Sequence, residues 1–439
     1  MAASLPSVWA QSNSPEFEDR TARYQLTYNW QRHPAFAART ADGPNSLSSS
    51  AERMYTFSAT AHWGFRPWQG GELYFNPEVI QGLPFSGNVI GLGGFTNGEI
   101  TRAGGTTPKA YRQRLFLRQT WGRGGGREAV EADFNQMAGT VDRNRTVLTV
   151  GNFSVLDVFD DNTYAKDPRT QFMNWSHWTY GAYDYAADAR GYGWGAALEW
   201  FQDNWAWRVA RMTGPKDPNG LPADFNLLHH YGDQFEVERS HTLSDEQGKL
   251  RVLLWRNRAR LASFQDATQW WMQQTPLARQ AITGPDALVA VRQSDKTKYG
   301  LGLNLEQAIR RDIGFFWRAM KADGRTETHA FTEIDRSLST GVLVQGTRWG
   351  RAQDSVGLAW ARNALSADRR DFLAAGGISY FLGDGSLNYR PETIWESFYS
   401  LHVYPGTWLT ANYQRIANPG YNADRGPVHV YALRLHAEF

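Results

Sequence analysis

The chain has 439 residues, 41% of them hydrophobic and 14% aromatic, with 19 Trp, 42 Gly, no Cys and a formal net charge of +2. No apolar run approaches the roughly 18 to 20 residues of a membrane-spanning helix. The missing cysteines remove disulfide scaffolds, thiolate metal sites and cysteine nucleophiles, and the near-neutral charge argues against a nucleic-acid surface.

At the N-terminus, "SVWAQS" sets Val8 and Ala10 in the manner of a signal-peptidase site, so residues 1–10 read as the remnant of an export signal. One pattern then keeps returning. "RYQLTYNW" puts Tyr24, Leu26, Tyr28 and Trp30 on one face of a strand and Gln25, Thr27 and Asn29 on the other. "YTFSATAHWGF" sets Tyr55, Phe57, Trp63 and Phe65 against Thr56, Ser58, Thr60 and His62 in the same way. Residues 79–108 are too glycine-rich and irregular for a strand pair, and long enough to fold into a barrel as a constriction loop. Their "GLGGFTNG" lacks the Lys-Ser/Thr and the strand-to-helix setting of a phosphate loop.

"KAYRQRLFLRQTWGRGGGREAVEADFNQ" reads as a hairpin turning in glycines 124–126. Its first strand points Tyr111, Leu115, Leu117 and Trp121 outward and Arg112, Arg114 and Arg118 inward; its return strand points Val130, Ala132 and Phe134 outward and Glu131, Asp133 and Asn135 inward. Opposed columns of arginine and carboxylate are the result. In residues 151–200, Asp157, Asp160, Asp161, Asn162, Arg169, Asn174 and Trp175 are candidates for a pore eyelet, and "YGWGAALEW" is a strand with Glu199 on its polar face. The aspartates could instead hold calcium, although their spacing fits no standard loop. His229 and His230, being adjacent, would point to opposite faces of a strand.

Further strands follow around Trp205, Leu301, Phe315 and Leu358. "RVLLWRNRARL" is read with Leu253, Trp255, Ala259 and Leu261 toward lipid and Arg256, Arg258 and Arg260 inside. Short helices are expected in residues 262–284 and 366–382, Glu392 and Glu396 add carboxylates to the polar face, and 418–427 is the turn before the last strand. That strand, "PVHVYALRLHAEF", alternates Tyr431, Leu433, Leu435, Ala437 and Phe439 against polar neighbours.

The second face chooses the architecture. Trp and Tyr dominate the apolar face, while glycine, arginine and carboxylate occupy the other, which is the pattern of a transmembrane β-barrel rather than a soluble sandwich. At roughly 27 residues per strand with its loop, the length gives about 16 strands, wide enough for an aqueous channel. The expected fold is all-β: a transmembrane antiparallel barrel over residues 11–439 as one domain, with infolded constriction loops and a few short helices.

The block "GNFSVLDVFDDNTYAKDPRTQFMNWSHWTYGAYDYAADARGYGWGAALEW", together with "FLAAGGISYFLGDGSLNYRPETIWESFYS" and "YQRIANPGYNADRGPVHVYALRLHAEF", resembles the carbohydrate-selective porin family of the OprB type. The resemblance runs from about residue 50 to the C-terminus. It implies passive diffusion of sugars through a 16-stranded barrel in the outer membrane of a Gram-negative bacterium, without catalysis or cofactor. The sugar contacts themselves are placed by periodicity, at the charged and aromatic positions above. Arginine forks and carboxylates pair with hydroxyls, and aromatic rings cover the apolar face of a sugar. Expected partners are small neutral sugars or polyols, outer-membrane lipid, and barrel-assembly machinery through the strand ending in Phe439; a homotrimer is one assembly open to it. An exporter of acidic polysaccharide, of the alginate type, is the alternative, and a strongly positive lumen would favour it. An outer-membrane lipase would need a serine triad, for which no G-x-S-x-G motif is present. The third alternative, a soluble sugar-binding β protein, would need no detergent.

Overall fold

The computed structural model describes residues 17–88, 90–100 and 105–439; the export-signal remnant expected at residues 1–10 lies outside them. The strands are β1 (Arg20–His33), β2 (Glu52–Phe65), β3 (Gly71–Leu83), β4 (Gly105–Gly122), β5 (Arg127–Val130), β6 (Gly139–Asp142), β7 (Arg145–Phe153), β8 (Gly193–Gln202) and β9 (Trp205–Met212). They continue as β10 (Tyr231–Leu243), β11 (Glu246–Arg260), β12 (Asp295–Arg310), β13 (Ile313–Ala322), β14 (Arg336–Gln345), β15 (Ser355–Ala364), β16 (Glu392–Tyr404), β17 (Thr407–Ala417) and β18 (Val428–Glu438).

Among the described residues sixteen of these strands form one closed antiparallel barrel, and β5 pairs only with β6. Closure joins the ends of the chain: the Tyr24 and Phe439 backbones exchange hydrogen bonds of 2.7 and 3.0 Å, and their rings stack at 5.9 Å. Tight turns such as 203–204, 244–245 and 405–406 mark one end, and the long connections 154–192 and 261–294 mark the other. Short turns face the periplasm and long loops the exterior in such barrels. The outer wall carries the aromatic and aliphatic faces read from sequence, with Tyr28, Trp63, Trp200, Leu301, Leu358, Trp395 and Leu433 all exposed.

The lumen of the outer half is packed. Phe95, Trp175, Trp178, Tyr180, Tyr183, Tyr185 and Phe331, all from loops, belong to one buried cluster inside the wall. Wall glycines make room for them: a Cβ on Gly302 would lie 2.9 Å from Tyr180 Cζ. Lumen-facing glycine therefore serves close approach of a loop as well as pleat geometry.

This filling explains the largest departure from expectation. On β11 the buried residues are Arg251, Leu253, Trp255, Asn257 and Ala259, while Leu250, Val252, Leu254 and Arg256 are exposed. Leu253 and Trp255 face inward because loop aromatics meet them there, with the Tyr183 and Trp255 rings 6.0 Å apart. Arg256 and Arg258 consequently lie on the outer wall, since a one-residue shift of parity exchanges the faces.

Two other expectations change. Strand β3 runs to Leu83 and β4 starts at Gly105, so the infolded connection is shorter than residues 79–108. The segment after the 124–126 glycines leaves the barrel as the β5–β6 hairpin, and β4 pairs with β7 instead. Helices span Phe264–Gln273 and Pro276–Ala281 in the first expected region and Ala367–Ala374 in the second, with a further helix, Asp286–Val291, just beyond the first.

Candidate pore constriction

The loop from Ser154 to Tyr192 crosses the lumen and is tied to the wall on several sides. Arg318 on β13 donates to Asp160 Oδ1 at 2.8 Å and to the carbonyls of His177 and Ala165 at 2.8 and 2.7 Å. Arg434 on β18 donates to the carbonyls of Pro168 and Gln171 at 2.8 and 2.7 Å. On β16, Glu396 accepts from the backbone N–H groups of Met173 and Asn174 at 2.6 and 3.1 Å. Glu392 does the same for Gly93 and Gly94 of the neighbouring infolded loop, at 3.1 and 2.7 Å. Unpaired N–H and C=O groups in a packed lumen would each cost about 1–3 kcal/mol, and these wall charges supply their partners.

Asn174 caps the short helix Trp175–Trp178 by accepting from Ser176 N at 3.0 Å, and the Trp175 side chain is buried. Inside this packing the His177 imidazole is pushed down to about 3 by burial, with Arg318 adding to the shift. Asn174, Trp175, Glu392 and Glu396 thus hold the loops and do not line the open passage.

Two cavities beside this packing share Asp157 and Lys166 in their linings. The wider one, about 360 Å³, lies toward the short-turn end and includes Arg118, Asp161, Glu199 and Arg208. The narrower one, about 80 Å³, is bordered by Gln25, His62, Arg114, Phe134, Asp157, Arg169 and Tyr192. Ligand pockets usually exceed about 300 Å³, so a solute crossing the narrow part must touch its wall.

Paired charges set that wall. Arg114 grips Asp157 with two bonds of 2.7 Å, and Lys166 holds Asp161 at 2.5 Å. Burial would raise the Asp157 carboxyl, but the Arg114 guanidinium outweighs it and holds the group below the ordinary aspartate range. Asp161 is also lowered: burial opposes ionisation, and Lys166 and Arg251 prevail. Arg169 bridges Glu78 at 2.7 Å and Glu99 at 2.6 Å. Every aspartate of the 157–161 group is therefore engaged by a cation, Asp160 by Arg318 at 2.8 Å.

Of the sequence candidates, Arg114, Arg118, Asp157, Asp160, Asp161, Arg169 and Glu199 come together on these cavities. Arg112 does not. The register steps from Asn76↔Arg114 to Pro77↔Arg112, and this bulge takes up Gln113. It turns Arg112 out over the Trp194 ring at 4.9 Å and brings Tyr111 inward, where its hydroxyl donates to Glu78. Glu131 and Asp133 sit on the β5–β6 hairpin, Glu131 exposed and Asp133 accepting from Phe134 N at 2.7 Å, so neither opposes the arginines. Phe134, expected toward lipid, packs inside on His62 with ring centroids 4.4 Å apart. Arg318, Arg434, Glu72 and Glu78 were not singled out from sequence, and their only signal is a charged side chain on an inward-facing position; Tyr192, which the alternation groups with Trp194 and Trp200 on the apolar face, precedes β8 and lines the narrow cavity instead.

A family description, carbohydrate-selective porin of the OprB family, matches residues 44–439. No curated protein matches. The structure of OprB from Pseudomonas putida at high pH is similar at 14% identity and a TM-score of 0.66, covering 95% of this chain and 94% of that one. The outer-membrane channel DcaP of Acinetobacter baumannii is similar at 9% identity and a TM-score of 0.50, covering 97% and 100%. The family match and the closed barrel put the protein in the outer membrane of a Gram-negative bacterium. A barrel of sixteen antiparallel strands, aromatic outside and crossed by an infolded loop, matched by that family over nearly its whole length, belongs to the carbohydrate-selective porin family of the OprB type.

Proposed function

We propose that this porin passes small neutral sugars, monosaccharides or polyols, by passive diffusion through the constriction at Arg114 and Asp157. The observation that carries this reading is charge balance. Eight lysine or arginine side chains and seven carboxylates line the two cavities. A lumen so nearly neutral offers both donors and acceptors to hydroxyls while giving no net attraction to an anion.

Aromatic faces stand beside the arginines. Arg190 lies over Tyr111 at 4.4 Å and Arg114 over Tyr192 at 5.1 Å. Stacking of this kind fixes the guanidinium plane, and with it the Arg114–Asp157 clamp that a passing hydroxyl meets. Binding at such a site is shallow, as transport requires. The same reading takes the C-terminal strand, with Phe439 exposed at its end, as the element addressed by barrel-assembly machinery.

The test is single-channel conductance in a planar bilayer, titrated with glucose, sucrose and a charged oligouronate. Block that rises with glucose concentration supports the sugar reading. Block by the oligouronate alone would transfer the assignment to an exporter of acidic polysaccharide.

A further inference from the structure

The outer wall holds a second feature unconnected with the passage. On the face of β10 to β13 near the long-loop end, a groove of about 680 Å³ includes Phe235, Leu254, Leu301, Arg256, Lys321 and Arg325. Its apolar members are exposed by 40%, 49% and 47% on the surface that meets lipid. Its cations lie toward the extracellular ends of the strands, where Leu301 pairs with Lys321 and Tyr299 with Arg256.

Charge on this face leans positive: Arg256, Lys321 and Arg325 stand against Asp233 and Asp323, the latter accepting from the Arg325 backbone N–H at 3.3 Å. Asp233 is consumed by two arginines, Arg211 at 2.7 Å and Arg256 at 2.8 Å. Lys321 and Arg325 are exposed and have no ion-pair partner among the described residues, and Lys321 pairs across the ladder with Arg336. Like charges directly opposite each other on a sheet destabilise it unless an anion lies between them. A cation on the lipid face costs about 2–4 kcal/mol at the midplane and about 0–1 kcal/mol near the interface. The position of these residues at strand ends fits headgroup depth.

We propose that this groove binds a phosphorylated lipid of the outer leaflet, its phosphate held by Lys321 and Arg325 and one acyl chain lying along Phe235, Leu254 and Leu301. Charge complementarity selects the occupant: the two exposed cations outside the Asp233 pairing, Lys321 and Arg325, stand above one apolar trough and match an anionic headgroup above a hydrocarbon chain. Tyr299, 54% exposed between the two zones, sits where interfacial aromatics are favoured.

The purified barrel in detergent is incubated with phosphatidic acid, with diacylglycerol of the same chains, or with inorganic phosphate, and adducts are counted by native mass spectrometry. Retained phosphatidic acid, at least tenfold weaker retention by the Lys321→Ala/Arg325→Ala variant, and unchanged single-channel conductance of that variant are the expected results. Equal retention by the variant, or equal retention of diacylglycerol, overturns the phosphate contacts. Displacement of the lipid by inorganic phosphate at equal concentration makes this a free-anion site and overturns the lipid assignment.

Discussion

Arg114 and Asp157 meet through two parallel hydrogen bonds of 2.7 Å, one from Nε and one from a terminal guanidinium nitrogen, joining the barrel wall to the infolded loop. Two residues away on the same strand, Arg112 lies on the opposite face. The pair of arginines therefore separates pore from outer surface in a single experiment. Arg112→Ala leaves conductance and sugar block at wild-type values. Arg114→Ala frees Asp157, raises cation over anion permeability and weakens glucose block several-fold. Reversal potentials in a salt gradient and sugar titrations read both effects; a response from Arg112 equal to that from Arg114 would contradict the bulge at Gln113.

Asp157→Asn tests the same clamp from the loop. The carboxyl is held below its ordinary value, so the pair's stabilisation is complete above an unfolded aspartate pKa of about 3.9 and is lost only as pH falls through the lowered folded value. Between pH 8 and 5 this pair therefore adds no pH dependence to conductance. The Asn variant removes one negative charge from the constriction and shifts selectivity toward anions across that whole range. A wild-type transition near pH 6 that disappears in Asp157→Asn would show the clamp is weaker than its geometry.

These pairs also show how far the sequence could be read. Straight strands such as β12, with Leu301 and Leu303 outward and Asn304 and Glu306 inward, were legible because a period of two is a property of the strand itself. Arg112 was not legible, because one bulged residue resets every position beyond it. Strand β11 was misread for a different reason: Leu253 and Leu254 offer an apolar residue to each face, and only the loop aromatics inside the barrel decide which is buried. Glu392 and Glu396 were placed on the correct face, yet their work is loop anchoring. That role depends on contacts such as Glu396 to Met173, 223 positions apart, which no local pattern encodes.

Arg169 offers a stability test. Its guanidinium satisfies Glu78 and Glu99, and all three side chains are buried. Removing one member of a buried ionic group leaves uncompensated charge and costs about 3–5 kcal/mol. Arg169→Ala is expected to free the 154–192 loop from the wall without unfolding the barrel, whose ladder is independent of it. Protease cleavage within the loop should accelerate, and mean conductance should rise with larger current noise. An unaltered cleavage rate would mean that Arg318 and Arg434 suffice to hold the loop.

Phe134 reaches the narrow cavity from the periplasmic side, with Asn135 beside it. The segment after β5 bends back so that Phe134 packs on His62, while Arg118 donates to the Asn135 carbonyl at 2.9 Å and Arg66 to that of Met137 at 3.2 Å. These arginines hold the backbone irrespective of the side chain at 134. Phe134→Ala therefore deletes a ring from the narrow cavity and leaves the hairpin docked. The expected result is higher conductance, with a weaker block by glucose than in the wild type, since a larger opening lets the solute pass with fewer wall contacts. Removal of residues 127–142 should have a greater effect in the same direction, because it also releases Arg66 and Arg118 into the vestibule. If Phe134→Ala enlarges neither conductance nor sugar permeability, the narrowest point lies above it, between Arg114 and Tyr192.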